Sequence, residues 1–571
     1  MTTPPRREAG TWLADTAFFV LAVASGALLV YLGRSLTFWY DEWSFITFSG
    51  SGLDYFDPHN EHWVTLPLVL YRGTLETVGL RSYVPYLAEL VALHLLAVGA
   101  AYVLLRRRLG PPVASLLVIP LLVLGAGSEN LYWAFQITFV GSVAFGLWAL
   151  VLVEQSGRRS LVLASASLLA SLMSSGLGLV FLVALGVRTL LDASLRERSV
   201  AVIPPFLAFL CWFAVVGYDG LTQPAASPQQ HVRFVLVGIG HATSRIVGLG
   251  ASSGGRVVGF GLFTALVLAL GVMAVRRRPR PLAAGCAVAI VTLYGIAGGV
   301  RGGLQAAAPT RGRYTYVAAF LLVIAIGDVL AGSKRPFSRT SLRSTALATA
   351  ALVVAVGWST AANVEALVTD RSVYQARADE TRAYVGLALS NRGESWVRGD
   401  PLGVEPPVPS LLEAVERFGS PLRDTDVAID VRHPATVAQE AALLAIVGDG
   451  LRSEPAKRPG RPSSASIVRV ERATISARHG CIELEATGDD PAITVSVPEG
   501  TRLRVRVASR VSGSFRVGRV RPPSRVFALN VLPLAPLDIV TPRTGDGGVW
   551  SIALQLRHVR GAVELCPTRP L

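Results

Sequence analysis

Charge is scarce in this chain. Asp, Glu, Lys and Arg make up 16% of its 571 residues, where soluble domains carry about 25%. With 51% hydrophobic residues, a mean hydropathy of +0.47 and long apolar runs, that deficit excludes an ordinary soluble globule and a disordered chain. Lysine is nearly missing: Lys334 and Lys457 are the only two. The excess of 54 basic over 39 acidic residues, a formal net charge of +15, is therefore carried by arginine. Its clusters stand beside apolar runs, where they set membrane orientation, and no nucleic-acid partner is expected. Cysteine is limited to four residues. Cys211 and Cys286 lie in apolar runs, Cys481 and Cys566 lie in the polar C-terminal part, and no CxxC or Cys/His metal spacing occurs. The loops on the predicted inner face also lack a Walker A loop, a GxGxxG turn and a DxD pair, which removes the usual ways of holding a nucleotide-sugar there.

What is present is a series of apolar stretches near the ~20 residues a bilayer crossing needs. They fall at about 12–34, 84–105, 112–128, 134–153, 160–175, 177–191, 199–217, 257–275, 281–299, 315–332 and 343–361. Arg6 and Arg7 precede the first, with no small-x-small cleavage site after it, so it reads as a retained span. Every even-numbered span returns to a basic loop: Arg106–Arg108, Arg158–Arg159, Arg196–Arg198, Arg276–Arg280 and Lys334–Arg343. The positive-inside rule then puts the N-terminus in the cytoplasm and everything after residue 361 outside. Within the loop after the seventh span, His231–Leu249 is amphipathic and reads as a helix lying on or dipping into the outer membrane surface; a twelfth span is the alternative, which would flip every later loop and put Arg276–Arg280 outside.

The expected fold class is a polytopic α-helical membrane protein of about eleven spans, with a C-terminal extracytoplasmic α+β region. Residues 1–361 form the membrane domain. Residues 362–464 are helical and linker-like, ending in the Pro-rich EPAKRPGRPSS. From Ala465 to the end, short alternating runs such as AITVSVP and RLRVRVAS, punctuated by Gly, Pro and Asp, predict an antiparallel β-sandwich. Cys481 and Cys566 flank most of it. In an oxidising compartment they would form a disulfide; two reduced thiols are the alternative, and the spacing of their Cα atoms decides.

Four polar constellations lie on the predicted outer side. In TFWYDEWSF, Asp41 and Glu42 follow the first span inside a belt of aromatic residues. One carboxylate there can take a proton from an attacking hydroxyl, and the other can hold a sugar hydroxyl, a metal or an arginine; a solvated loop start is the plain alternative. In DYFDPHNEHW, His59, Glu61 and His62 match no specific zinc template and read as ligands of substrate hydroxyls, with a divalent metal or a surface loop as alternatives. In GSENLYWAFQ, Glu129, Asn130 and Gln136 sit at the turn between two spans, where buried amides need partners; helix capping by Asn130 with an interfacial tryptophan is the alternative. In RGGLQAAAPTRGRYTY, Arg301, Arg311, Arg313 and Tyr314 stand on the outer side against the positive-inside rule. An arginine fork suits a phosphate; anionic lipid headgroups are the alternative. Glu89 and His94, inside the second span, read as satisfied core residues.

On these residues the sequence resembles the GT-C superfamily of integral membrane glycosyltransferases, nearest to actinobacterial arabinosyl- and mannosyltransferases that use decaprenyl-phosphate sugars. The likeness rests on the first outer loop with Asp41–Glu42, the GSENLYWAFQ and RGRYTY segments, the many spans and the outer C-terminal domain. That domain resembles carbohydrate-binding modules in its strand pattern, although it is small for the group. The resemblance implies inverting transfer of a sugar from a polyprenyl-phosphate donor to a cell-envelope glycan or glycolipid acceptor, in the plasma membrane. Asp41 would be the general base, with Glu42 beside it. Arg311, Arg313 and Arg301 would hold the leaving phosphate, and His59, Glu61, His62, Glu129, Asn130, Gln136 and Tyr314 would contact the substrates. No cofactor is implied with certainty, since some members need a divalent cation and others do not. Two rival readings are a transporter or flippase of lipid-linked glycan, which would need a matching inward site and repeated halves, and a non-catalytic envelope glycan-binding membrane protein.

Overall fold

The computed structural model describes residues 6–220, 226–303, 308–333, 342–395, 397, 406–423, 426, 429–447, 452–456, 461–520, 527–533 and 535–569. Lys334, Lys457 and most of the basic loop predicted after the tenth span lie outside the described residues. The chain divides into two units. One comprises Met1–Leu36, Ser49–Thr77 and Tyr83–Tyr374; the other comprises Thr37–Phe48, Val78–Ser82 and Gln375–Leu571.

The helices follow the apolar stretches. They are α1 (Arg6–Gly33), the short α2 (Glu42–Ile46), α3 (Thr65–Val78), α4 (Val84–Leu109), α5 (Pro111–Leu122), the single turn α6 (Glu129–Tyr132), α7 (Ile137–Leu152), α8 (Arg158–Leu172), α9 (Gly178–Leu191), α10 (Ile203–Val215), α11 (Pro228–Ile246), α12 (Ser253–Val275), α13 (Pro281–Arg301), α14 (Gly312–Ser333) and α15 (Leu342–Ser390). A two-residue hairpin, β1 (Pro58–His59) and β2 (His62–Trp63), precedes α3. Each of the eleven predicted stretches falls on one of these helices. Among the described residues, eight helical stretches are long and apolar enough to cross a membrane, and the protein is a multi-pass membrane protein. α5, α8 and α9, with 12, 15 and 14 residues, are shorter than the ~20 residues of a full crossing. The predicted eleventh span and the helical pattern beyond residue 366 are one continuous 49-residue helix, α15.

Small residues let the helices of the first unit approach closely, as packing without a hydrophobic drive requires. A Cβ on Gly146 of α7 would collide with the Phe181 ring of α9, and one on Gly238 of α11 with Tyr294 of α13. α11 packs on both helices that follow it. His231, near the start of α11, meets Gly298 of α13, while Ser244, near its end, meets Gly259 of α12.

The second unit contains α16 (Val408–Phe418), α17 (Val437–Ile446) and the strands β3 (Arg452–Pro455), β4 (Arg461–Pro462), β5 (Ser466–Glu471), β6 (Ala473–Arg478), β7 (Cys481–Ala486), β8 (Ala492–Pro498), β9 (Arg502–Val507), β10 (Val511–Gly518), β11 (Phe527–Val531), β12 (Leu537–Val540), β13 (Val549–Arg557) and β14 (Val563–Arg569). One sheet has the order β11-β10-β13-β8-β5. The other runs β3-β12-β9-β14-β7-β6, with β4 also paired to β14. Alternate residues are buried, as in Ile493, Val495 and Val497 of β8 and Trp550, Ile552 and Leu554 of β13, the period-2 pattern of a sandwich. β3 and β4 lie in the Pro-rich stretch expected to be linker; proline is tolerated on short strands at sheet margins. The register that pairs Leu565 with Ile482 sets Cys566 opposite Cys481. The two form a disulfide, with Cα atoms 4.2 Å apart.

Candidate functional site

Two charged clusters mark the first unit, one at each end of its helices. At one end, Arg301 closes α13 and Arg313 opens α14. At the other, Arg280 precedes α13 and Asp328 lies near the end of α14. The 21 residues of α13 separate them by about 30 Å at 1.5 Å per residue, the thickness of a bilayer's hydrocarbon core.

The Arg301 end holds most of the predicted site residues. The β1–β2 hairpin turns through Asn60, whose φ of +53° is left-handed, a conformation asparagine tolerates. Trp63 stacks on Trp212 with ring centroids 5.1 Å apart, and the Trp212 indole N–H donates to the Phe56 carbonyl at 2.7 Å. So anchored, the hairpin presents Glu61 to Arg301, whose Nε donates to Glu61 Oε1 at 2.8 Å, with a second bond from its terminal nitrogen. His62 Nε2 stands 3.7 Å from the same oxygen. The Gly176 backbone N–H donates to His62 Nδ1 at 3.3 Å, which puts the ring proton of the neutral imidazole on Nε2.

Burial depresses the pKa of both His59 and His62 to about 4, so both rings are neutral at pH 7. Burial opposes ionisation of Glu61 too, but His62 and Arg301 outweigh it and hold the carboxyl below its ordinary value. The two effects act in the same direction. As pH falls from about 6.5 towards 4, the unfolded chain takes up protons that the buried histidines refuse; below about 4.5 it takes up one that Glu61 refuses. The apparent melting temperature in detergent is therefore expected to fall by several degrees between pH 7 and pH 5. Replacing both histidines by glutamine should flatten that slope; an unchanged slope would place its origin elsewhere.

The turn that leads into α7 supplies the second ion pair. Arg313 donates to Glu129 Oε1 at 2.6 Å from its side chain and to Oε2 at 3.2 Å from its backbone N–H. Its guanidinium lies 5.8 Å from the ring centroids of both Trp133 and Phe139, where a cation is favoured. Phe139 also meets His62 edge-on at 5.7 Å, so the two ion pairs flank one aromatic wall. Asn363 accepts from the Ala126 N–H at 3.0 Å, and Ser128 donates to Asp370 at 2.6 Å, fixing the other side of the turn to α15. Asn130 and Gln136 are fully buried, and no amide atom of either has a hydrogen-bonding partner among the described residues. A buried unsatisfied polar group costs about 1–3 kcal/mol, so both amides retain hydrogen-bonding capacity that no described residue takes up.

The remaining predicted residues are placed differently. Arg311 is exposed and has no ion-pair partner among the described residues. Tyr314 is buried in an aromatic cluster with Phe139, Phe234 and Tyr294, behind Arg313. Glu89, expected to be a satisfied core residue, is half-buried: one carboxylate oxygen accepts from Thr74, and the other has no hydrogen-bonding partner among the described residues; His94 is fully buried and shares a 2.8 Å bond with Tyr316. Asp41 and Glu42 belong to the second unit. Tyr40 there has a left-handed φ of +56°, strained for a bulky residue. Glu42 is fully buried and accepts from the Trp39 N–H at 2.9 Å. Asp41 is partly exposed, and its carbonyl accepts from the Ser44 N–H and hydroxyl. Among the described residues no group of three or more His, Cys, Asp and Glu is arranged to hold a metal ion. Gly176 went unforeseen; its only signal was its position in SSGLG between two apolar runs. A Cβ there would sit 3.0 Å from His62 Nδ1.

No family model matches the sequence, and no curated protein matches it. Among solved structures the chain is similar to ArnT from Cupriavidus metallidurans in the apo state, at 15% identity over 70% of this chain and 85% of that one, with a TM-score of 0.43. The same enzyme bound to undecaprenyl phosphate matches at 14% identity over the same shares, also at 0.43. The arabinosyltransferase EmbB from Mycobacterium smegmatis matches at 14% identity over all of this chain and 65% of that one, at 0.32. No residue of this chain takes its role from them.

Proposed function

We propose that this chain is a GT-C-type membrane glycosyltransferase that moves a sugar from a polyprenyl-phosphate donor to an envelope glycan or glycolipid acceptor on the extracytoplasmic side. One observation carries the reading. Stretches far apart in sequence, at residues 59–62, 129–136, 176 and 301–313, meet at one end of the helical unit in a site of paired charges, aromatic rings and unsatisfied amides. Three arginines against two glutamates leave that site a formal charge of +1, at headgroup depth, where a lipid phosphate lies.

Arg311 meets the donor phosphate first, since Arg301 and Arg313 are already engaged by carboxylates and add to the field around it. Fixed charges of this kind stabilise a departing anion without reorganisation. Asn130, Gln136, Glu61 and His62 orient sugar hydroxyls. Asp41 takes the proton of the acceptor hydroxyl as its oxygen bonds to the anomeric carbon. The bond from that carbon to the phosphate oxygen breaks on the opposite face, its electron pair leaving with the polyprenyl phosphate, so configuration inverts. Glu42 holds the turn that carries Asp41.

The test is transfer by the purified chain in nanodiscs, supplied with a panel of polyprenyl-phosphate sugars and octyl glycosides. Transfer is expected with at least one donor, and Arg311→Gln should raise the donor KM about tenfold, the worth of ~1.4 kcal/mol, while leaving the acceptor KM unchanged. No transfer across the panel would sink the reading. An unchanged donor KM would return Arg311 to a lipid-anchoring role.

A further inference from the structure

A cavity opens beside the Gly125–Ser128 turn. Its volume is about 340 Å³, and it is lined chiefly by Arg245, Gly248, Gly250, Glu365, Thr369 and Asp370, within the size range of small-molecule sites. Its frame is fixed. The end of α11 is tied to α15 by bonds from the Trp358 indole to the Gly248 carbonyl at 3.1 Å and from the Ser359 hydroxyl to the Ile246 carbonyl at 2.5 Å. Gly248 and Gly250 both have left-handed φ values, +79° and +76°, and the Ser244 hydroxyl donates to the Gly250 carbonyl at 2.7 Å. The opposite wall is Ala126, whose N–H donates to Asn363. Two residues further on, Ser128 donates to Asp370; the next residue, Glu129, holds Arg313. A few residues of backbone thus separate this cavity from the arginine-rich site.

The charges of the two places differ in sign. One arginine and two carboxylates give this lining a formal charge of −1, against +1 for the first site. Among the described residues neither Arg245 nor Glu365 has an ion-pair partner, so both keep hydrogen-bonding capacity to offer. A phosphate is disfavoured beside two carboxylates. A neutral polyol is favoured, because carboxylates accept from its hydroxyls and arginine donates to them.

We propose that this cavity is the acceptor subsite, taking the sugar end of the glycan or glycolipid that is to be extended, with Glu365, Thr369, Asp370 and Arg245 as its hydroxyl ligands. The inference rests on the transferase reading, and it gives the second substrate of a transferase a polar cavity near the arginine-rich site.

The experiment uses Thr369→Cys in a Cys211→Ser background, reconstituted in nanodiscs and labelled with a polar maleimide. The probes are octyl disaccharides of glucose, mannose, galactose and arabinose, with undecaprenyl phosphate as the competing arm. At least one disaccharide at about four times its Kd should slow labelling about fivefold, and undecaprenyl phosphate should leave the rate unchanged. Glu365→Gln added to this background should abolish the protection while the protein stays monodisperse. Protection by undecaprenyl phosphate would make the cavity a lipid-phosphate site and overturn the proposal, as would a labelling rate that no disaccharide changes. Transfer by the unmodified chain is measured in parallel. Sugar protection without transfer would uphold the subsite and sink the transferase reading, whereas transfer without protection would sink the subsite alone.

Discussion

Asp41→Asn is expected to leave the protein expressed, inserted and monodisperse, while transfer falls by at least about a hundredfold, the usual contribution of a general base. The local structure is why the two outcomes should separate. Two bonds of the turn that carries Asp41 are made by its main chain: the Asp41 carbonyl accepts from the Ser44 N–H at 3.2 Å and from the Ser44 hydroxyl at 2.5 Å. An amide in place of the carboxylate changes neither bond. It does remove the acceptor for the hydroxyl proton, which is the role proposed for Asp41. The neighbouring acid should behave in the opposite way. Glu42 is fully buried, and its carboxylate accepts the Trp39 N–H, so Glu42→Ala removes that bond and empties a buried position beside the strained Tyr40, and should lower yield and melting temperature before activity is even assayed. Near-normal turnover by Asp41→Asn would take the base role away from it.

How much of this was readable in advance differs between the fold and the site. The helices were legible because a bilayer imposes a length and an apolar composition, and the chain meets both repeatedly. Their exact status was not. α5 and α9 are buried apolar helices too short to cross by themselves, and an apolar run of that length looks the same in sequence whether it spans or packs. α15 continues past the predicted end of its span because no Pro interrupts residues 362–390 and their one glycine, Gly386, comes only in the last turns; a change from apolar to polar composition does not end a helix. In the β region the strand pattern was clear, but β3 and β4 hid in a stretch whose prolines suggest a linker. The site residues were legible as residue types. Their pairing was not, since Glu61 meets Arg301 across 240 positions and Glu129 meets Arg313 across 184, and nothing local in the sequence encodes such contacts. Gly176 and the cavity beside α15 were invisible for the same reason: one acts through a backbone N–H, the other through the space between helices.

The arginines at the other end of the helices carry the clearest lesson. The sequence presents Arg106–Arg108 and its counterparts as orientation signals, which requires only that they be positive and near the membrane. The structure gives several of them carboxylate partners and adds Arg188, from within the predicted sixth span. Arg107 reaches Glu154 at 2.9 Å, Arg108 pairs with both Glu154 and Asp328, and Arg188 pairs with Glu154 and donates to the Leu150 carbonyl. One glutamate thus ties together the ends of α4, α7 and α9. Glu154→Gln should therefore destabilise the protein by about 3–5 kcal/mol, the cost of stripping a buried cation of its partner, read as a fall in melting temperature in detergent. The three arginines will not suffer alike. Arg107 is 35% exposed and can turn to water, and Arg108 keeps Asp328; Arg188, at 3% exposure, keeps no carboxylate. Arg188→Leu in the Glu154→Gln background should consequently recover most of the loss, because it removes the stranded charge rather than restoring a pair. Failure of that second substitution to rescue would mean that Glu154 acts through Arg107 and Arg108, and that the lock lies between α4 and α7 alone.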